Sequence, residues 1–309
     1  MNRNALRGSL LLLLGAVIWG AAFVAQRAGM DHLQPFTFSG IRMLLGALVL
    51  WPVSLLTGKR RAAEAPPTPE SRRVQRKAGL LCGIFLFFAT SLQQVGLVYT
   101  GAGKAGFITA LYVVLVPVAG LLLFRIHPGR IIWGGVALAV CALYLLCVPA
   151  GGFRIEGGDA LLIGCAICFT GQILCVDRFA ARVDGITLSR DEFLVTGVLS
   201  MIVALFTETV TREGVRGAMI PILYTGILSC GVGYTMQVLG QRDVSATVAS
   251  LLMCMESVFA VLTGVIILGE SMSGREAAGC VMMFIAVILA QVSPLIQGIA
   301  QRKTHRGGI

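Results

Sequence analysis

The sequence has 309 residues, of which 56% are hydrophobic and 13% charged, with a formal net charge of +10. Soluble domains sit near about 45–50% apolar and about 25% charged, so a mean hydropathy of +0.85 excludes an ordinary soluble globule and indicates a polytopic membrane protein. The basic excess fits Lys and Arg gathered in loops on one side of a membrane, and no nucleic-acid partner is expected.

Ten apolar runs follow one another, with limits near 8–26, 36–56, 78–97, 103–124, 130–149, 157–176, 187–206, 217–236, 245–268 and 275–295. Each approaches the roughly 20 residues that a helix needs to cross a hydrocarbon core. In lipid every backbone polar group must be satisfied internally, so the runs are expected as helices. They are continuous rather than alternating, which argues against a membrane barrel. The first run follows Arg3 and Arg7 and could pass for a secretory signal; it is expected to stay, because the repeat described below uses it. The longest loop, Thr57 to Lys77, is strongly basic, and its Pro66-Pro67-Thr68-Pro69 centre reads as extended linker.

With ten spans, one side collects Arg3, Arg7, the seven basic residues of the Thr57–Lys77 loop, Arg125, Arg130, Arg178, Arg182, Arg190, Arg242, Arg302, Lys303 and Arg306. The other collects only Arg27, Lys104, Arg154, Arg212, Arg216 and Arg275. The asymmetry predicts that both termini are cytoplasmic.

The nine cysteines all fall in apolar runs and read as small packing residues. Cys165 and Cys168 form a CxxC with no His nearby, and neither metal nor cofactor is expected. Histidines occur only at His32, His127 and His305, in loops or the tail.

An internal repeat keeps its order along the chain. Gly129-Arg130 opens the fifth run as Gly274-Arg275 opens the tenth. Ala105-Gly106 matches Ser245-Ala246, and Phe36-Thr37-Phe38-Ser39 matches Ile186-Thr187-Leu188-Ser189. The expected fold is all-α: ten transmembrane helices in two five-helix halves, residues 1–150 and 151–309, meeting near Ala150-Gly151-Gly152. Because five is odd, the second half enters the membrane upside down, giving an inverted repeat. That layout belongs with a midplane site and alternating access.

One carboxylate stands near the middle of the ninth run, Ser245 to Leu268. A charge at the bilayer centre costs at least ~2.5–3.5 kcal/mol, so Glu256 is expected to face a wet cavity or a partner. An acid that can change protonation state can couple proton uptake to solute release, or it can pair with a cationic solute. Ser250 lies near the same helix face. Arg42, inside the second run, either snorkels outward or contacts an anion. Glu192 occupies the matching place in the seventh run, where Arg190 and Asp191 beside it suggest a solvated helix start. Tyr112 and Gln172 are candidates for lining a cavity. Trp19 either caps a solute by cation–π contact or anchors at the interface.

Two five-helix repeats, Trp19-Gly20, Arg42, Met255-Glu256 and Leu268-Gly269-Glu270 together resemble the EamA-type members of the drug/metabolite transporter superfamily. The resemblance implies a helical carrier rather than an enzyme, often an exporter of small metabolites, amino acids or drugs. Ser257 stands where the family usually has Pro after the ninth-helix Glu, and Phe124-Arg125 stands at the first-half counterpart of Gly269-Glu270. The expected function is a secondary transporter, an exporter in the plasma (bacterial inner) membrane, of a small organic solute, coupled to protons through Glu256. No Walker-type segment is present in the sequence to make ATP the direct drive. An exchanger of anionic metabolites and an intramembrane enzyme are the alternatives. The expected partners are the solute, the bilayer and a second copy of the chain in a homodimer.

Overall fold

The runs of the sequence become helices in a computed structural model that describes residues 3–64, 68–100, 102–148, 157–268 and 271–306. The Pro66-Pro67 pair, the expected junction at Ala150-Gly151-Gly152 and Gly269-Glu270 lie outside the described residues. The first half contains α1 (Arg3–Met30), α2 (Pro35–Glu64), α3 (Pro69–Tyr99), α4 (Ala102–Ala110), α5 (Tyr112–Phe124) and α6 (Arg130–Cys147). The second contains α7 (Asp159–Phe179), α8 (Gly185–Thr207), the short α9 (Arg212–Gly217) and α10 (Met219–Leu223), then a π-helical stretch at Tyr224–Tyr234. It ends with α11 (Thr235–Gln241), α12 (Ala246–Met253), α13 (Met255–Leu268) and α14 (Gly274–Arg306). No strand occurs among the described residues.

Nine helical stretches among the described residues are long and apolar enough to cross a membrane. The chain is therefore an all-helical integral membrane protein. The seventh run is also helical, as the 23-residue α8, but Arg190, Asp191 and Glu192 give it more charge than that criterion allows. Apolar side chains such as Leu122, Phe206 and Ile220 stand exposed on the outer surface, as lipid-facing positions require.

The flanks of the expected Thr57–Lys77 loop are helical instead, and of its Pro-rich centre Thr68 is extended. α2 continues through Lys59, Arg60 and Arg61, all good helix formers. α3 begins at Pro69, with Thr68 as its cap; the Thr68 side chain accepts from the Ser71 amide at 3.1 Å. Proline at the first helical position lacks only an amide that would have no partner there, so Pro69 starts a helix. The C-terminal tail is helical through Arg306, so His305 is part of α14.

The fourth and ninth runs are each split in two. Leu111, at φ −60° and ψ −9°, separates α4 from α5. Cys254, at φ −60° and ψ −14°, separates α12 from α13. The breaks meet: the Cys254 thiol donates to the Ala110 carbonyl at 3.8 Å. Irregular backbone at membrane depth is tolerated where protein or a cavity surrounds it. Neither break contains proline; Pro117 lies inside α5.

α2 packs on α8, and α6 on α14. α3 lies against α7, while α1 lies against the π-helical stretch and α11; α5 also reaches α7, and α13 reaches α1. Glycine sets how close some of these pairs come. A Cβ at Gly20 would stand 2.7 Å from Phe259 Cβ and 2.8 Å from the Ala260 amide, so α1 and α13 touch backbone to backbone. Side chains from neighbouring segments cap two helix starts. Glu208, following α8, accepts from the Phe36 and Thr37 amides of α2 at 2.9 and 2.7 Å. Asp184 accepts from the Thr187 amide of α8 at 2.7 Å.

Candidate functional site

Where the two helix breaks cross, the bundle leaves a small cavity of about 50 Å³, enough for ordered water. Trp19, Phe23 and Gln26 reach it from α1 at i, i+4 and i+7, one face of a helix. Arg42 comes from α2 and Gln93 from α3, while Thr109 and Tyr112 flank the first break. Phe169 and Ile173 come from α7, Ser229 and Tyr234 from the π-helical stretch, and Gln237 from α11. Met253 and Glu256 flank the second break. Among the described residues, α6, α8 and α14 contribute nothing to the wall.

The two charged groups come from opposite halves of the chain. Glu256 is 8% exposed, and the Tyr112 hydroxyl is its hydrogen-bonding neighbour. Arg42 is 1% exposed, with its guanidinium 5.7 Å from the Phe38 ring centre. Arg42 Nε and Nη2 are buried and meet no hydrogen-bond acceptor. No ion pair joins Arg42 to Glu256. A buried cation without an acceptor is costly unless something completes it. The outward snorkelling that its long stem would permit does not occur.

Aromatic rings frame this pair. Trp19 meets Tyr234 edge to face at 4.8 Å between centroids, and its Nε1 donates to the Ser229 carbonyl at 3.4 Å. Trp19 therefore belongs to the cavity and is not an interface anchor. Tyr112 meets Phe169 at 6.5 Å. π-Helical turns are uncommon and concentrate at functional sites; this one supplies Ser229 and Tyr234 to the wall.

Of the residues expected to form a site, Glu256, Arg42, Trp19 and Tyr112 line one cavity. Gln172 and Ser250 do not. Gln172 is fully buried behind the wall, between Gln237 and Glu192, because the α7 face that reaches the cavity is that of Phe169 and Ile173. Ser250 turns onto its own helix and donates to the Thr247 carbonyl at 2.8 Å, and the break at Cys254 takes it off the face of Glu256. Glu192 corrects the sequence reading further. It is fully buried, not solvated, since α8 is packed between α2 and α3. Its Oε2 accepts from Gln172 Nε2 at 3.2 Å. Gln26, Phe23, Phe169 and Thr109 were not anticipated; the spacing of Trp19, Phe23 and Gln26 was the available signal.

A wider vestibule of about 570 Å³ lies beyond this cavity, bordered by Arg27, Asp31, Ser257 and Glu276. Phe23 lines both spaces. At the other end, a basin of about 710 Å³ is bordered by Arg72, Arg76, Arg182, Arg190 and Arg242 with Asp184 and Asp191.

The profile of the EamA-like transporter family matches the chain twice, over residues 6–148 and 156–291. A protein named as an uncharacterized transporter from Archaeoglobus fulgidus is 29% identical over 281 residues, covering 91% of this chain and 84% of that one. The S-adenosylmethionine/S-adenosylhomocysteine transporter of Chlamydia muridarum is 24% identical over 278 residues, covering 84% of each chain. A solved crystal structure shares the fold, with a TM-score of 0.75 over 92% of this chain and 96% of its own, at 18% identity. With a family profile spanning nearly the whole length of a helical membrane chain, this protein belongs to the EamA-like transporter family.

Proposed function

We propose that the protein is a secondary carrier of a small organic solute bearing both a carboxylate and a cationic group, and that it exports this solute across the cytoplasmic membrane. The observation that carries the reading is the pair formed by Arg42 and Glu256. Both are buried, both face one cavity, and they leave each other unpaired. A solute carboxylate would complete Arg42, whose planar fork suits a carboxylate. A solute ammonium or sulfonium would sit against Glu256 and the faces of Trp19 and Tyr234. The Chlamydia muridarum relative is named for solutes of this kind, since both carry an amino-acid group.

The same reading takes the chain as ten spans in two inverted halves, divided at residues 150 and 151. Support comes from the double match to the family profile and from packing that recurs between halves. α3 on α7 is echoed by α10–α11 on α1, and α5 on α7 by α13 on α1, while α2–α8 and α6–α14 pair across the axis. The crossed breaks at Leu111 and Cys254 fit the discontinuous helices of midplane sites. The same reading takes both termini as cytoplasmic, with support from the basic residues, and the vestibule beyond Phe23 then opens outward. Glu256 would release the solute on taking up a proton, because its protonated form no longer holds a cation.

The test is a screen by thermal stabilisation of purified protein, followed by flux in sealed vesicles. Zwitterionic amino-acid derivatives are expected to raise the melting temperature, and matched pure cations or pure anions to raise it less. Glu256→Gln should lower proton-driven flux about tenfold or more, the effect of ~1.4 kcal/mol of lost interaction. Wild-type flux in that variant would remove Glu256 from the coupling.

A further inference from the structure

Glu192 is a fully buried carboxylate on a helix that gives no residue to the cavity wall. It lies at the end of a line of side-chain amides. Gln172 Nε2 donates to Glu192 Oε2 at 3.2 Å, and Gln237 Nε2 donates to Gln172 Oε1 at 3.0 Å. Gln237 Nε2 also donates to Gln241 Oε1 at 3.0 Å, and Gln241 Nε2 donates to the Ile173 carbonyl at 3.1 Å.

The ends of this line fix its direction. Gln172 spends an N–H on Glu192 Oε2 and turns its own carbonyl to Gln237. The Ile173 carbonyl only accepts, so Gln241 spends its N–H there and turns its carbonyl to Gln237. Both amide hydrogens of Gln237 are then used inside the protein. Its Oε1 accepts from no described residue and is not a sealed-off buried atom. It is the end of the amide left for the cavity that Gln237 lines.

We infer that Glu192 is a positioning residue that, through Gln172, holds Gln237 as a hydrogen-bond acceptor in the cavity, and that Gln237 Oε1 takes an N–H of the solute's cationic group. The inference rests on the zwitterion reading above and adds a requirement to it: the cation must be an N–H donor, not merely positive. Glu256 supplies charge to that group, and Gln237 supplies direction. Without the Glu192 acceptor, Gln172 is free to turn its amide and withdraw its carbonyl from Gln237; Gln237, then held by the Gln241 carbonyl alone, can swing N–H₂ toward the cavity, where it opposes an ammonium.

The experiment compares leucine with its N,N,N-trimethyl betaine, which keeps both charges and has no N–H. Binding to the full-length protein in detergent is read by thermal shift. Wild type is expected to prefer leucine about tenfold, as for one buried hydrogen bond to a charged group. Gln237→Leu should bind both alike. Glu192→Leu should also lose the preference although it touches no solute, and Glu192→Gln, whose carbonyl can still accept from Gln172, should restore it. If Glu192→Leu does not fold, Gln172→Leu cuts the same line and should give the same loss. A preference that survives in Gln237→Leu overturns the acceptor. A preference lost in Gln237→Leu but intact in Glu192→Leu or Gln172→Leu overturns the positioning role. Binding of both probes without discrimination by wild type refutes this inference alone, whereas stabilisation by neither refutes the zwitterion reading with it.

Discussion

Arg42 has two guanidinium nitrogens buried and unaccepted. An apolar side chain of similar length in place of a buried, unpaired charge removes its desolvation penalty. Arg42→Met should therefore raise the melting temperature of the solute-free protein while abolishing stabilisation by any carboxylate-bearing solute. A lower melting temperature with solute binding intact would assign Arg42 to structure instead. Arg42→Lys should not substitute, since a point ammonium lacks the fork. Glu256 differs in having the Tyr112 hydroxyl beside it. The isolation of Glu256 in an apolar run pointed to a cavity-facing residue, and it lines the cavity. Gln172 was picked out for the same polarity in lipid, yet it lies one layer behind the wall, because composition says that a polar group is buried but not which neighbour it faces.

The fourth and ninth spans are organised by their breaks. Each break frees backbone groups beside the cavity and turns the following residues, Tyr112 and Glu256, toward it. The close α1–α13 contact holds the second break against Trp19 and Phe23. Gly20→Ala would drive a methyl into the Phe259–Ala260 backbone. Such overpacking costs about 1–3 kcal/mol, so both melting temperature and flux should fall; an unchanged melting temperature would mean that the helices separate freely there. At the opposite edge, Lys104 of α4 meets Asp159 of α7 at 2.8 Å, with side chains 8% and 9% exposed. Lys104→Met leaves a buried carboxylate without this partner and should cost about 3–5 kcal/mol, measured by the melting of purified protein. Pro117 gave no clue to the first break, and Ser257 in place of the family's Pro suggested none in the second. The backbone turns at Leu111 and Cys254 with no proline, and there the Cys254 thiol meets the Ala110 carbonyl, a contact between residues 144 positions apart.

Across the membrane, the proposed inverted arrangement makes a directional prediction. Ser71, exposed at the start of α3, and Ser273, exposed before α14, lie on opposite faces if ten spans are crossed. Cysteine introduced at Ser273 should react with an impermeant reagent applied to intact cells, and cysteine at Ser71 should react only after the membrane is opened. Reaction of Ser71→Cys from outside would reverse the orientation. Phe23 lines both the small cavity and the wider vestibule. An alternating-access carrier needs a movable separation between such spaces, since a continuous passage would dissipate the gradient that drives it.

The membrane class, the helical class and the succession of apolar runs were legible in the residues alone, because lipid imposes one requirement everywhere: long apolar stretches with their backbone bonded internally. The acid at Glu256 stood out for the same reason. The sequence could not reveal that Arg42 turns inward, that Glu192 lies buried, or that Gln172 yields the wall to Gln237. These depend on which face of each helix meets a neighbour, and that is set by contacts between residues far apart in the chain. Only the packed bundle brings Arg42 of one half and Glu256 of the other to a single hollow, and their chemistry comes from that meeting.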